Sequence, residues 1–131
     1  QQAMIRAIKP GMTFAQIERI GRKLLTGRGY KRIHIKHGSF HHLGMAVHDV
    51  RRGARELREG MYITVEPGIY FTREGMGCRI EDDVLITANG CRVLSTGCPS
   101  DPDGIERLMK LEGLALPPTG AREIERKKKK L

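Results

Sequence analysis

Four of the five histidines, His37, His41, His42 and His48, fall within twelve residues, and Asp49 follows at once. Any one alone is more often a surface or core-satisfied ring than a ligand, but four together point to metal binding or acid–base work near neutral pH. His37 and His41 have the i, i+4 separation of a helical zinc site, yet Gly38 stands where the H-E-x-x-H signature has its glutamate, so that reading fails. Glu66 ends the run M-Y-I-T-V, where an ionised side chain is costly unless paired or metal-bound. Glu81 lies in R-I-E-D-D; on an extended strand Arg79, Glu81 and Asp83 face one way while Ile80, Asp82 and Val84 face the other. Two carboxylates on neighbouring strands and one imidazole form a donor set suited to manganese, zinc, cobalt or iron, and spacing alone does not choose among them.

These side chains need elements to hold them. Residues 3–8 read as the end of a helix stopped by Pro10 and Gly11. Thr13 with Gln16 has the capping-box spacing, and Phe14, Ile17, Ile20 and Leu24 recur on one face, which predicts a helix over about 14–25. Residues 30–36 alternate basic residues with Ile33 and Ile35 and suit a strand or extended edge. The histidine stretch, interrupted by Gly38 and Gly44, is expected as loop and then strand, and residues 51–60 as a charged turn. M-Y-I-T-V-E-P-G-I-Y-F splits into two strands at Pro67-Gly68, and C-R-I-E-D-D-V-L-I-T, Ala88-Asn89-Gly90 and C-R-V-L-S make a hairpin. Ser100 or Asp101 caps a last helix with Pro102 at its first position, packing Ile105, Leu108 and Met109. The pattern is α+β, a largely antiparallel sheet backed by helices.

Composition narrows the class. The net charge of +9 invites a nucleic-acid reading, but residues 1–36 hold nine Lys/Arg against one acid, 37–121 hold nine against twelve, and 122–131 hold six against two. The cations flank an acidic middle, without stacking aromatics on a basic face, so no nucleic-acid partner is expected. Cys78, Cys91 and Cys98 lack C-x-x-C spacing and are odd in number, which favours a reducing compartment, the cytoplasm, over a disulfide framework. Neither a membrane span nor a signal peptide is visible. Residues 1–116 form one partial domain, and 117–131, which run from Pro117-Pro118 into Lys127–Lys130, a basic disordered tail. The chain opens on Gln1 rather than Met, within a helix end, which reads as a start inside a longer protein.

Three motifs in order carry a resemblance: H-G-x-x-H-x-L-G-x-x-V-H-D from His37 to Asp49, G-M-x-x-T-V-E-P-G-I-Y from Gly60 to Tyr70, and R-I-E-D-D-V-L-I-T from Arg79 to Thr87. Together they resemble the C-terminal half of the catalytic domain of the Xaa-Pro metallopeptidases, prolidase and aminopeptidase P, of the pita-bread family. The likeness runs from about Lys9 to about Leu111. It implies that His41, Glu66 and Glu81 are metal ligands, that Glu81 bridges two divalent ions, manganese first among them, and that Glu66 also shuttles a proton. His37 and His48 would line the substrate side, His48 stabilising charge on the scissile carbonyl oxygen, while Arg79 would hold Glu81 and its neighbours in place. His42 takes a position that is not a ligand in that family. R-I-E-D-D disfavours methionine aminopeptidase, where an E-H-T type sequence would stand.

Prolidase tends to carry an arginine eight residues before the glycine of the G-M motif. Arg52 stands there and would pair with the C-terminal carboxylate of a dipeptide, although Arg51, Arg55 and Arg58 crowd the same loop. The resemblance thus favours prolidase over aminopeptidase P. The family uses five protein ligands, two of them aspartates on strands before the region matched here, so this chain holds three and is expected to be inactive without the upstream segment. A homodimer is expected, as is usual in the family. The alternative is a truncated, non-catalytic pita-bread homologue that binds another protein.

Overall fold

The computed structural model describes residues 1–49, 56–111 and 113. The chain divides into two compact units, Gln1–Cys98 and Pro99–Leu131. Arg51, Arg52, Arg55 and the basic tail lie outside the described residues.

The first unit begins with α1 (Gln2–Ala7) and α2 (Phe14–Gly27). Thr13 and Gln16 close the expected capping box: the Gln16 amide donates to Thr13 Oγ1 at 3.2 Å and the Thr13 amide to Gln16 Oε1 at 2.8 Å, pairing two N–H groups a helix start leaves open. α2 crosses α1 at Gly21, where a Cβ would come within 2.5 Å of Met4 Sδ, so a larger residue would require the Met4 side chain to shift. Ile17 of α2 and Met4 and Ile8 from the α1 region are buried with Leu57, Ile63, Val65, Val84 and Ile86 in one core.

The strand expected over 30–36 does not form. Residues Arg32–His34 make a single 3-10 turn, and Ile33 is exposed. Local bonds win here: the His34 amide donates to the Lys31 carbonyl at 3.0 Å, the Lys31 amide to His34 Nδ1 at 3.3 Å, and the His34 ring packs on Phe71.

β1 (Tyr62–Val65), β4 (Asp82–Thr87) and β5 (Gly90–Val93) form an antiparallel sheet in the order β1-β4-β5; β2 (Gly68–Phe71) and β3 (Met76–Arg79) form a second, two-stranded one. The hairpin expected around Ala88-Asn89-Gly90 is β4–β5, with Thr87 opposite Gly90. The single strand expected through C-R-I-E-D-D-V-L-I-T is instead two, β3 and β4, parted at Ile80-Glu81. Pro67 supplies a reason: it has no N–H to donate, so the ladder lapses where β1 passes into β2. Register survives the lapse. Val65 pairs with Asp82 and Gly68 with Arg79, so Glu66 and Pro67 stand opposite Glu81 and Ile80. Two carboxylates therefore face each other across one antiparallel ribbon, at its seam.

In the second unit α3 (Pro102–Met109) starts as expected, with Asp101 Oδ1 accepting from the Gly104 amide at 2.6 Å and proline in the first turn. Its expected apolar packing is absent: Ile105, Leu108 and Met109 are exposed, since the described part of this unit offers no sheet or second helix to cover them.

Candidate metal centre

Residues 39–43 run antiparallel along the edge of β1. The Thr64 amide donates to the His41 carbonyl at 2.9 Å, Glu66 to Ser39 at 2.8 Å, and Leu43 to Tyr62 at 3.3 Å. The histidine stretch is therefore extended first and bent afterwards, the reverse of loop then strand. Only isolated bridges form, His42 with Ile63 and with Asp49, and residues 44–48 bend back so that the Asp49 amide reaches the His42 carbonyl at 3.0 Å. Extended backbone turns successive side chains to opposite faces. Phe40 and His42 lie on the Phe14 ring, at centroid distances of 5.4 and 5.2 Å, and His41 turns the other way, toward Glu66.

Glu66 is buried, its side chain 8% exposed, and its two oxygens have separate partners. Oε2 accepts from Arg79 at 3.3 Å; Oε1 lies 3.2 Å from His41 Nε2 and 3.4 Å from the Thr64 hydroxyl. Glu81 is exposed and brings a carboxylate oxygen to the same place, so that one donor atom each from His41, Glu66 and Glu81 lies within 4.8 Å of the others. The aspartates that follow are engaged elsewhere. Asp82 accepts from the Ser95 hydroxyl and the Gln1 side chain, and Asp83 from the Tyr62 hydroxyl, which raises that phenol above its ordinary value.

The donor set fits a divalent cation on its own chemistry. His41 Nδ1 lies 3.1 Å from the His42 carbonyl, an oxygen that only accepts, so Nδ1–H donates there and Nε2 is the ring nitrogen turned to Glu66 Oε1. Nε2 lies against one carboxylate oxygen, and a second carboxylate stands opposite in register. Two carboxylates and one imidazole so placed can share a divalent cation. Among the described residues Arg79 pairs with Glu66, and oxygen plus imidazole donors suit manganese, zinc, cobalt or iron.

The other expected residues lie around this point. His48 is exposed, its ring 4.4 Å from that of His41. His37 sits further along: its Nδ1 lies 2.6 Å from the Gly38 carbonyl and its Nε2 2.8 Å from the Tyr70 hydroxyl. Gly68 permits this, because a Cβ there would come within 2.6 Å of the Tyr70 oxygen. His37, Tyr70 and Arg79 share an open groove of about 590 Å³ with Lys36, Phe71 and Met76. Sequence reasoning passed over Thr64 and Tyr70. Thr64 was legible, two residues before Glu66 on the same strand face; Tyr70 was not, since its bond to His37 spans 33 residues.

The description "Metallopeptidase family M24" matches residues 1–88. An Xaa-Pro aminopeptidase 1 of Streptomyces coelicolor is 35% identical over 141 aligned positions, covering 83% of this chain and 29% of that protein. An Xaa-Pro dipeptidase of Pyrococcus furiosus is 41% identical over 99, covering 72% and 28%. Among solved structures, a proline aminopeptidase P II from Yersinia pestis superposes with a TM-score of 0.71 at 33% identity, over 85% of this chain and 32% of that one. A prolidase from Pyrococcus furiosus superposes at 0.66 with 39% identity, over 72% and 29%. The fold is thus that of part of a pita-bread domain. The chain spans less than a third of the length of these curated relatives.

Proposed function

The chain belongs to metallopeptidase family M24, and from that premise we propose that it is the C-terminal part of the catalytic domain of an Xaa-Pro peptidase, hydrolysing the bond before proline in dipeptides or short peptides. The convergence of His41, Glu66 and Glu81 carries this reading. In it these three would hold divalent ions, manganese favoured, together with two aspartates supplied by the segment that precedes the matched region. The ions, when bound, acidify a water and polarise the scissile carbonyl.

The chain's own residues do the rest. Arg79 neutralises Glu66 Oε2 and fixes the carboxylate's plane, leaving Oε1 to hold a cation and to take up a proton. His48, exposed beside His41, donates a ring N–H to the carbonyl oxygen as charge builds there. His37, oriented by the Tyr70 hydroxyl, lines the groove that receives the peptide. Arg52 pairs with the terminal carboxylate of a dipeptide, which favours prolidase over aminopeptidase P; relatives named for both activities are similar to this chain. Three donors of five leave the chain inactive without the upstream segment. The complete enzyme is a homodimer, and the free thiols of Cys78, Cys91 and Cys98 suit the cytoplasm.

The test joins the chain to the upstream part of the catalytic domain and supplies manganese. Hydrolysis of a dipeptide ending in proline is expected, falling to background in Glu81→Ala. Arg52→Ala should lower kcat/KM for the dipeptide more than for longer Xaa-Pro peptides; equal losses would favour aminopeptidase P. A protein that holds two ions and turns over neither substrate is the non-catalytic binding module.

A further inference from the structure

Thr64 is fully buried, in a strand where its neighbours Ile63 and Val65 turn into the apolar core. A buried hydroxyl has one proton to donate and lone pairs to fill, and leaving either unmet is costly. Here the oxygen accepts from the backbone amide of His41 at 3.1 Å. The pairing is unusual for a ladder. The Thr64 amide donates to the His41 carbonyl in the ordinary way, but the return bond from the His41 amide goes to the side-chain oxygen of Thr64. The hydroxyl's proton then has Glu66 Oε1 before it at 3.4 Å, the same oxygen that faces His41 Nε2.

We propose that Thr64 is a positioning residue, whose hydroxyl ties the backbone of His41 to the carboxylate of Glu66 and so sets the separation of the two donors before a cation arrives. This rests on the ligand set proposed above. Glu66 is clamped from both ends, with Arg79 on Oε2 and Thr64 on Oε1, so its remaining lone pairs keep one direction. His41 is held through its own amide at Thr64 and through Nδ1 at the His42 carbonyl, which keeps Nε2 turned to Glu66 Oε1. Partners of this kind, one bond removed from a metal, change affinity by about 10- to 100-fold when lost.

The test uses the chain joined to the upstream part of the catalytic domain, as above, with cobalt(II) as probe and calorimetry with visible absorption as readouts. Thr64→Val keeps the shape and removes the hydroxyl. It should weaken cobalt binding about 10- to 100-fold and alter the ligand-field bands. In the metal-free chain, amide exchange at His41 should quicken, while exchange at Thr64 and Glu66, whose amides donate to backbone carbonyls, stays slow. Thr64→Ser should restore both readouts. Should Thr64→Val not fold, Thr64→Ser against Thr64→Ala isolates the same hydroxyl. A threonine that merely fills the ladder would shift exchange at His41 and leave cobalt affinity and spectrum unchanged, which overturns the proposal and spares the ligand set. Wild-type joined protein that takes up no cobalt overturns the ligand set, and this inference with it.

Discussion

β1 with β4 and β2 with β3 are consecutive stretches of one antiparallel register, yet they live in different surroundings. Ile63, Thr64, Val65 and Val84 have no exposed surface, while all four residues of β3 are exposed. The first stretch is covered by α1 and α2 and flanked by residues 39–43; the second lines an open groove. Glu66 and Glu81 sit where one passes into the other, one buried and one exposed. The buried half gives the donors fixed positions, and the exposed half gives a ligand a way in.

That contrast can be broken from either side. The largest effect is expected from Ile63→Ala, which empties a core site and should cost about 2–5 kcal/mol in urea unfolding. Met76→Ala on β3 should stay within about 0.5 kcal/mol. Comparable losses would show that the ribbon folds as one block. At the seam, Glu81→Gln removes one of two facing carboxylates; it should stabilise the metal-free chain by about 0.2–1 kcal/mol and abolish the rise in melting temperature on adding manganese. The smallest effect belongs to Tyr62, the half-buried first residue of β1. The Asp83 carboxylate accepts from the Tyr62 hydroxyl and raises its pKa above the ordinary 10.0. The folded phenol keeps its proton longer than the unfolded one, so this contribution is present below pH 10 and is lost as pH rises through the folded value. Tyr62→Phe should flatten that part of the alkaline limb of a stability–pH curve.

What could be read from the sequence was local. The capping box, the β4–β5 turn and the Asp101–Pro102 start of α3 each depend on residues within four of one another, and each forms as expected. The extended run beside β1 could not be read, because its partner lies more than 20 residues away and its own alternation resembles that of any loop. Ile33 and Ile35 misled for the converse reason: a period of two survives where no strand partner is at hand. For the site, residue types singled out Glu66, Glu81 and a cluster of four histidines, the family resemblance pointed to His41 among them, and the fold brings these three donor atoms together. Glu66 facing Glu81 follows from register rather than composition, and the bond of His37 to Tyr70 joins residues 33 apart in the chain.

The close crossing at Gly21 also bears on sulfur chemistry. Met4 is 1% exposed, and its Sδ occupies the space a side chain at Gly21 would need, so a sulfoxide there would put a polar oxygen into the apolar core. Met45, Met76 and Met109 stand in solvent and meet a peroxide first, at little structural cost. Once Met4 is oxidised, that buried oxygen weakens the packing of α1 against α2. Peroxide damage to this chain should therefore come in two stages, a silent one on the surface methionines and an unfolding one at the helix crossing.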